Sequence, residues 1–335
     1  MNRNSNESMV LGVVISFSNR YAKVRCDDGN IRTCTIKGKR IDSSSRGYKN
    51  LAAGDHVSVI PLSKQNGVIE SIFDRKSEFG RYNEKGEARQ VFAANLDLVV
   101  CIASTRAPPF RPRFIDRVGV MAEYCGLPFL IVCNKIDLGL DISIESRLAA
   151  FQELGYGVIK SSVRDSIGID ELRKVLIGKT SIFIGQSGTG KSSIINCLIP
   201  GADQRIAEIS EKYDRGKHTT TLSTMLSSPN EDFNIIDTPG IRRLAIRNIE
   251  PNNLAYYFPD MVPFLGLCEF GASCTHRYEL HCFVKQAVQE GLIHNDRYES
   301  YLRMRAELEE TRNAKTNEAR RLQRSATDQF EEEEW

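Results

Sequence analysis

The chain has 335 residues, 41% of them hydrophobic and 26% charged, which supports two or three packed domains and excludes a mostly disordered polymer. A net charge of +2 neither demands nor excludes a polyanionic partner, and no run of about 18 apolar residues offers a membrane span. The polar start MNRNSNESMV lacks a secretory signal, and nine cysteines are too few for a disulfide scaffold, so a cytoplasmic protein without membrane association is expected.

Residues 9–73 read as five short strands, MVLGVVISFS, YAKVRCDD, IRTCTIKG, HVSVIPL and GVIESIF, separated by Asp-Gly, Gly and Asn-Gly turn signals. Five strands in about 65 residues predict a small barrel over residues 1–88, with an OB-like barrel the first candidate and an SH3-like barrel also compatible. Residues 1–90 hold 16 Lys/Arg against 10 Asp/Glu. Arg20, Lys23, Arg25, Arg32, Lys37, Lys39, Arg40, Arg46 and Lys49 give either an RNA-binding face or a solvated basic one. The polar stretch from Asp74 to Arg89 reads as a linker or exposed loop.

From Val91 the texture changes. Apolar runs (DLVVCIAST, PFLIVCNK, TSIFIGQ, FNIID) alternate with helix-like segments such as FIDRVGVMAEYCG and IESRLAAFQELG, which predicts an α/β domain over 89–249 with helices on both faces of its sheet. Within it, TRAPPFRPRF reads as a mobile basic stretch carrying Arg106, Arg111 and Arg113, with Arg117 close behind. Residues 250–325 form a third module with a Cys/His cluster and helices, and 326–335 read as a disordered acidic tail.

Gly185, Gln186, Ser187, Gly188, Thr189, Gly190, Lys191 and Ser192 match GxxxxGK[ST], between an apolar strand and a helix-like SSIINCL that contains Ser193. Glycines there let backbone N–H groups wrap phosphates, Lys191 reaches the β/γ oxygens, and Ser192 ligates Mg²⁺. Asp237, at the end of FNIID, is placed to hold Mg²⁺ through water, and the Gly240 N–H to sense a γ-phosphate. Asn134, Lys135 and Asp137 end another strand. A carboxylate at Asp137 accepts from both the N1–H and the exocyclic amine of guanine, an edge that adenine lacks. Ser161, Ser162 and Val163 fall where a further base-contacting loop is expected.

The guanine-reading elements precede the P-loop, the reverse of the usual order, as if the termini had been opened between switch II and the base-binding half. Lys217, His218, Thr219 and Thr220 lie between the P-loop and Asp237, where switch I belongs, with the threonines facing Mg²⁺ and γ-phosphate. Ile241 stands where Ras-type sites place a water-orienting glutamine, so His218 is the in-chain candidate for that role, a surface or structural histidine being the alternative.

Cys268, Cys274, His276 and Cys282 have the spacing Cx5CxHx5C, which suits one closed, structural Zn²⁺ site, with His281 a competitor to His276. Cys26, Cys34, Cys101, Cys125, Cys133 and Cys197 read as core thiols.

Taken in order, NKID, SSV, GQSGTGKS, GKHTTT and DTPG, with a barrel in front and the metal spacing behind, resemble the bacterial ribosome small subunit-dependent GTPase A family of circularly permuted GTPases. The resemblance implies a monomer that hydrolyses GTP to GDP and is stimulated by the 30S ribosomal subunit. It implies action late in small-subunit assembly, contact with 16S rRNA, and a catalytic set of Lys191, His218, Thr219, Thr220 and Gly240. The alternatives are an RNA-binding scaffold that GTP merely orders and a self-sufficient metabolic NTP hydrolase.

Overall fold

The structure, a computed structural model, describes residues 9–18, 21–36, 51–83, 88–204, 223–230, 232–238, 244, 246 and 249–332. The chain divides into two compact units, Met1–Leu244 and Ala245–Trp335.

Unit 1 begins with β1 (Val10–Ser18), β2 (Tyr21–Cys26), β3 (Ile31–Ile36), β4 (His56–Pro61) and β5 (Asn66–Ile72). Alternation puts Val14, Ala22, Val24, Cys34, Val57, Val59 and Ile69 inside. The ladder runs β1-β2-β3-β5-β4 and closes through β1 and β4, with β3 parallel to β5 and the other pairs antiparallel. That connectivity is the OB-type Greek-key barrel, so the SH3-like alternative is set aside.

The polar stretch after the barrel is not a loop. β6 (Glu78–Asn83) pairs antiparallel with β7 (Ala88–Ala94), burying Phe79, Ala93 and Ala94. Charged residues on either side of buried Phe79 obscure its strand period. Arg75 ties this hairpin to the barrel, meeting the buried Asp55 carboxylate at 2.7 Å and Glu78 at 2.8 Å.

The α/β part contains β8 (Leu98–Ser104), α1 (Pro112–Tyr124), β9 (Phe129–Asn134), α2 (Ile142–Glu153), β10 (Gly157–Lys160), α3 (Ile169–Leu176), β11 (Thr180–Gly185), α4 (Lys191–Leu198), β12 (Thr224–Ser227) and β13 (Asn234–Asp237). Sheet order is β10-β9-β8-β11-β13-β12, parallel except for β12. β8 and β9 are buried along their whole length, as central strands covered on both faces must be. α1 starts with proline at its first position, where the missing N–H costs nothing, so Arg113 and Arg117 sit on a helix rather than a mobile stretch. Arg106 pairs with Asp141 at 3.0 Å. α4 buries Ile194, Ile195 and Leu198, which leaves Cys197 on its outer side; that thiol is exposed, contrary to the core reading.

In unit 2, short 3₁₀ turns precede α5 (Phe283–Gln289) and the long α6 (Asn295–Glu332). Its core is partly ionic: Arg297, 2% exposed, meets Asp260 at 2.8 Å and lies over the Phe258 ring. α6 continues through residues 326–332, where the acidic sequence predicts disorder; the stretch ATDQFEE contains no Gly or Pro to break the helix.

Candidate functional site

The carboxyl ends of β8, β9, β10, β11 and β13 lie along one edge of the sheet, the usual ligand edge of an open α/β fold. At the end of β11 the chain turns through Gly185–Gly190 into α4. A Cβ on Gly185 would stand 2.8 Å from the Ile102 carbonyl oxygen, and one on Gly190, whose φ is +91°, would collide with Asn134 Nδ2. Thr189 closes the loop on itself, its hydroxyl donating to the Gln186 carbonyl at 2.9 Å. No side chain caps α4 at Gly190, which leaves its first N–H groups to an anion. Ser187, Ser192 and Ser193 are exposed beside them.

Two residues of the NKID segment hold the phosphate loop from behind. Buried Asn134 donates through Nδ2 to the Thr189 carbonyl at 3.0 Å and accepts from Ser161 Oγ at 3.2 Å. Lys135, in the left-handed region at φ +64°, donates through Nζ to the carbonyls of Gly188 (2.6 Å) and Ala107 (2.5 Å). Thr105 Oγ1 secures Lys135 by donating to its carbonyl at 2.7 Å. Asp137 is exposed and accepts from buried Ser162 Oγ at 2.9 Å, while Val163 is half-buried beside it in sequence. Asp137, Ser161–Ser162, Asn134 and the Gly185–Gly190 loop are thus linked in one chain by three hydrogen bonds.

On the other side, Asp237 ends β13 in register with Phe183 of β11 and forms an ion pair with Lys191. Both side chains are about nine-tenths buried. Thr238 follows, donating to the Phe183 carbonyl at 2.8 Å. His218, Thr219, Thr220 and Gly240 lie outside the described residues.

In unit 2, Cys268, Cys274, His276 and Cys282 are all buried, with their ligand atoms within 4.8 Å of one another. His276 faces the sulfurs with Nδ1, 3.7 Å from Cys268 Sγ and 3.4 Å from Cys282 Sγ. Tyr298 and Tyr301 of α6 pin the loop by donating to the carbonyls of His276 (2.7 Å) and Thr275 (2.9 Å). Burial pushes the Cys274 thiol up to about 12, raises that of Cys282, and lowers the basicity of His276. Burial also opposes charge on Glu279, yet hydrogen bonds from Thr275 and from backbone N–H groups prevail and hold its carboxyl at about 2. Three thiols and one imidazole, gathered and shielded from water, fit a metal ion and no other evident task.

The sequence profile of the RsgA GTPase family matches residues 72–247. The chain belongs to the RsgA GTPase family. It is 38% identical over 301 residues to the small ribosomal subunit biogenesis GTPase RsgA of Borrelia garinii subsp. bavariensis, a match spanning 90% of this chain and 97% of that relative. It superposes on the crystal structure of YjeQ from Thermotoga maritima with a TM-score of 0.69 at 31% identity, over 90% of this chain and 98% of the other. YloQ, a circularly permuted GTPase, has the same fold at a TM-score of 0.66 and 24% identity, over 93% and 99% of the two chains. The architecture is therefore that of a circularly permuted GTPase with an N-terminal barrel and a C-terminal region bearing the Cys/His cluster.

Within this RsgA GTPase fold, the described site residues read from sequence fall into two groups, the nucleotide edge and the Cys/His cluster. Sequence reasoning missed the loop after β8, where Thr105 and the Ala107 carbonyl grip Lys135. Its signal was the Ala-Pro-Pro run directly after a buried strand. Arg25 and Arg32, which the sequence places on a face that is either RNA-binding or solvated, are engaged within the protein. Arg32 is buried against Asp28 at 2.6 Å, and Arg25 donates to Ser227 and Asn234. Among the described residues no helix is long and apolar enough to cross a membrane.

Proposed function

We propose that the protein is a GTP hydrolase that acts on the small ribosomal subunit during its assembly. The observation that carries this reading is the convergence of Asn134–Asp137, Ser161–Ser162, Gly185–Ser193 and Asp237 on one sheet edge, in a chain whose curated relatives are named for small-subunit biogenesis.

The chemistry follows from the edge. Asp137, held by Ser162, accepts two hydrogen bonds from guanine, and the aliphatic stem of Lys135 lies along the purine face. Val163 offers its backbone N–H to the base. The N–H groups of Gly185–Ser193 and the Lys191 ammonium receive the phosphates, which requires Lys191 to part from Asp237. Ser192 and Asp237 are then the residues that would hold Mg²⁺, which would supply positive charge against the phosphate oxygens. His218 orients the attacking water, with Thr219, Thr220 and the Gly240 N–H ordering around the γ-phosphate. Cys268, Cys274, His276 and Cys282 hold a structural Zn²⁺ that stabilises a loop with little apolar core of its own.

The protein works as a monomer in the cytoplasm, alternating between GTP and GDP. It touches 16S rRNA of the 30S subunit through the barrel, with Lys23 and the basic run from Lys37 to Lys49 as the contacting side chains. Titration with fluorescent GDP and ADP tests the nucleotide reading: GDP is expected to bind at least a hundredfold more tightly, and Lys191→Ala to abolish most of that affinity. Equal binding of the two nucleotides would overturn it.

A further inference from the structure

Among the described residues, three contacts join the barrel to the β12–β13 hairpin or its surroundings. First, β1 pairs with β12 at Ser16 and Thr224, and Thr224 pairs with Asp237 on β13. Ser16, Thr224 and Asp237 therefore form one row across three adjacent strands, each residue buried. Ser16 stands at the irregularity in the β1–β2 register, where a bulge bends the barrel strand toward its second partner.

Second, Arg25 of β2 donates through Nη1 to Ser227 Oγ on β12 and through Nη2 to Asn234 Oδ1 on β13 at 3.4 Å. Ser227 Oγ also donates to Asn234 Oδ1 at 2.8 Å, and Asn234 Nδ2 reaches Thr180 Oγ1 at the start of β11 at 3.4 Å. Third, the barrel turn at Gly54, with φ +90°, presses so closely on the Ala94 carbonyl that a Cβ there would clash, and that Cβ would lie 3.2 Å from Ile236 Cδ1.

β13 is only four residues long, with Asn234 first and Asp237 last. A short strand paired on both sides moves as one body, so whatever fixes Asn234 fixes Asp237. β12 is equally short, and Thr224 at its start closely follows the segment containing Lys217–Thr221. A guanidinium suits this post because its fork addresses acceptors on two strands at once, which a lysine's single ammonium does less well.

We propose that Arg25 is a positioning residue for GTP hydrolysis: by clamping Ser227 and Asn234 it fixes the β12–β13 hairpin, and with it Asp237, so that the barrel is an integral part of the Mg²⁺ side of the nucleotide site. The inference rests on the reading of Asp237 as the carboxylate on that side. It gives a route by which a load on the barrel alters nucleotide binding, and linkage makes the effect reciprocal.

The test uses the full chain with Arg25→Ala and Arg25→Lys, both checked for an unchanged circular-dichroism spectrum. Readouts are the Mg²⁺ midpoint for binding a non-hydrolysable GTP analogue, GDP affinity without Mg²⁺, kcat and KM, and amide exchange at Ile235–Asp237. Arg25→Ala is expected to raise the Mg²⁺ midpoint and lower kcat at least threefold, to speed exchange at those amides, and to leave Mg²⁺-free GDP affinity within twofold. Arg25→Lys is expected to fall between it and the wild type. An unchanged midpoint, or a parallel fall in Mg²⁺-free GDP affinity, would overturn the proposal. If Arg25→Ala does not fold, Ser227→Ala removes one acceptor of the same fork and is read by the same midpoint. A wild type whose nucleotide binding ignored Mg²⁺ would instead remove the reading of Asp237, and the proposal with it.

Discussion

Replacing Gly190 with alanine attacks the joint between the NKID segment and the Gly185–Gly190 loop. Gly190 has φ +91°, and a Cβ there would occupy the space of Asn134 Nδ2. Holding a residue with a Cβ in the left-handed region costs about 1–2 kcal/mol. Driving Asn134 away breaks its buried hydrogen bond to the Thr189 carbonyl and leaves a donor and an acceptor unsatisfied, about 1–3 kcal/mol more. Together these amount to roughly 2–5 kcal/mol, or about 30-fold to several-thousand-fold in an equilibrium constant at 1.4 kcal/mol per decade. Gly188 is the internal control. Its φ is +84°, and a Cβ would meet Pro108 Cδ at 3.3 Å and the Ala107 carbonyl oxygen at 4.0 Å, so Gly188→Ala carries the backbone term and little else. Equilibrium titration with a fluorescent guanine nucleotide, alongside thermal unfolding, reads both the affinity and any share of the cost taken by stability. Gly190→Ala binding within twofold of the wild type, with an unchanged melting temperature, would refute the coupling of Asn134 to the phosphate loop.

Asp137→Asn exchanges an acceptor-only group for an amide, and GTP binding is expected to fall at least a hundredfold while xanthine nucleotides, which present a carbonyl at the same edge, gain; competition titration measures both. Asp116→Ala removes the partner of Arg147, a pair at 2.7 Å with both side chains under 4% exposed. A cost of about 3–5 kcal/mol is expected, lowering the thermal midpoint by roughly 10 °C, and calorimetry checks it. Metal analysis is expected to find one zinc per chain, lost in Cys274→Ser. Because burial holds the Cys274 thiol near 12, metal-free protein keeps it protonated at neutral pH; zinc binding therefore releases protons and tightens as pH rises, which a weakly buffered indicator titration detects.

The sequence was most informative where chemistry constrains spacing. GQSGTGKS and NKID are short, and their residues need particular types at particular offsets, so they were legible before any fold was known. The convergence of their strands was legible too, since buried parallel strands such as DLVVCIAS and FLIVCN read as continuous apolar runs. Less legible were contacts set by tertiary packing. The β6–β7 hairpin hides behind charge, because buried Phe79 stands in a stretch rich in charged residues. Cys197 looks like its apolar neighbours Ile195 and Leu198, and only helix phase sends it outward. Arg25 sits among basic residues that suggest RNA, yet its partners lie more than 200 positions away on strands no local pattern connects to it.

This nucleotide edge is proposed to hydrolyse GTP under the influence of the small ribosomal subunit. Phosphate release from GTP and from ATP, with and without purified 30S subunits at fixed Mg²⁺ and salt, tests it most directly, salt being held because phosphate-backbone contacts depend on it. Slow release from GTP alone, raised many-fold by 30S subunits and absent with ATP, is the expected result. Release that is equal for the two nucleotides, or indifferent to 30S subunits, would contradict it.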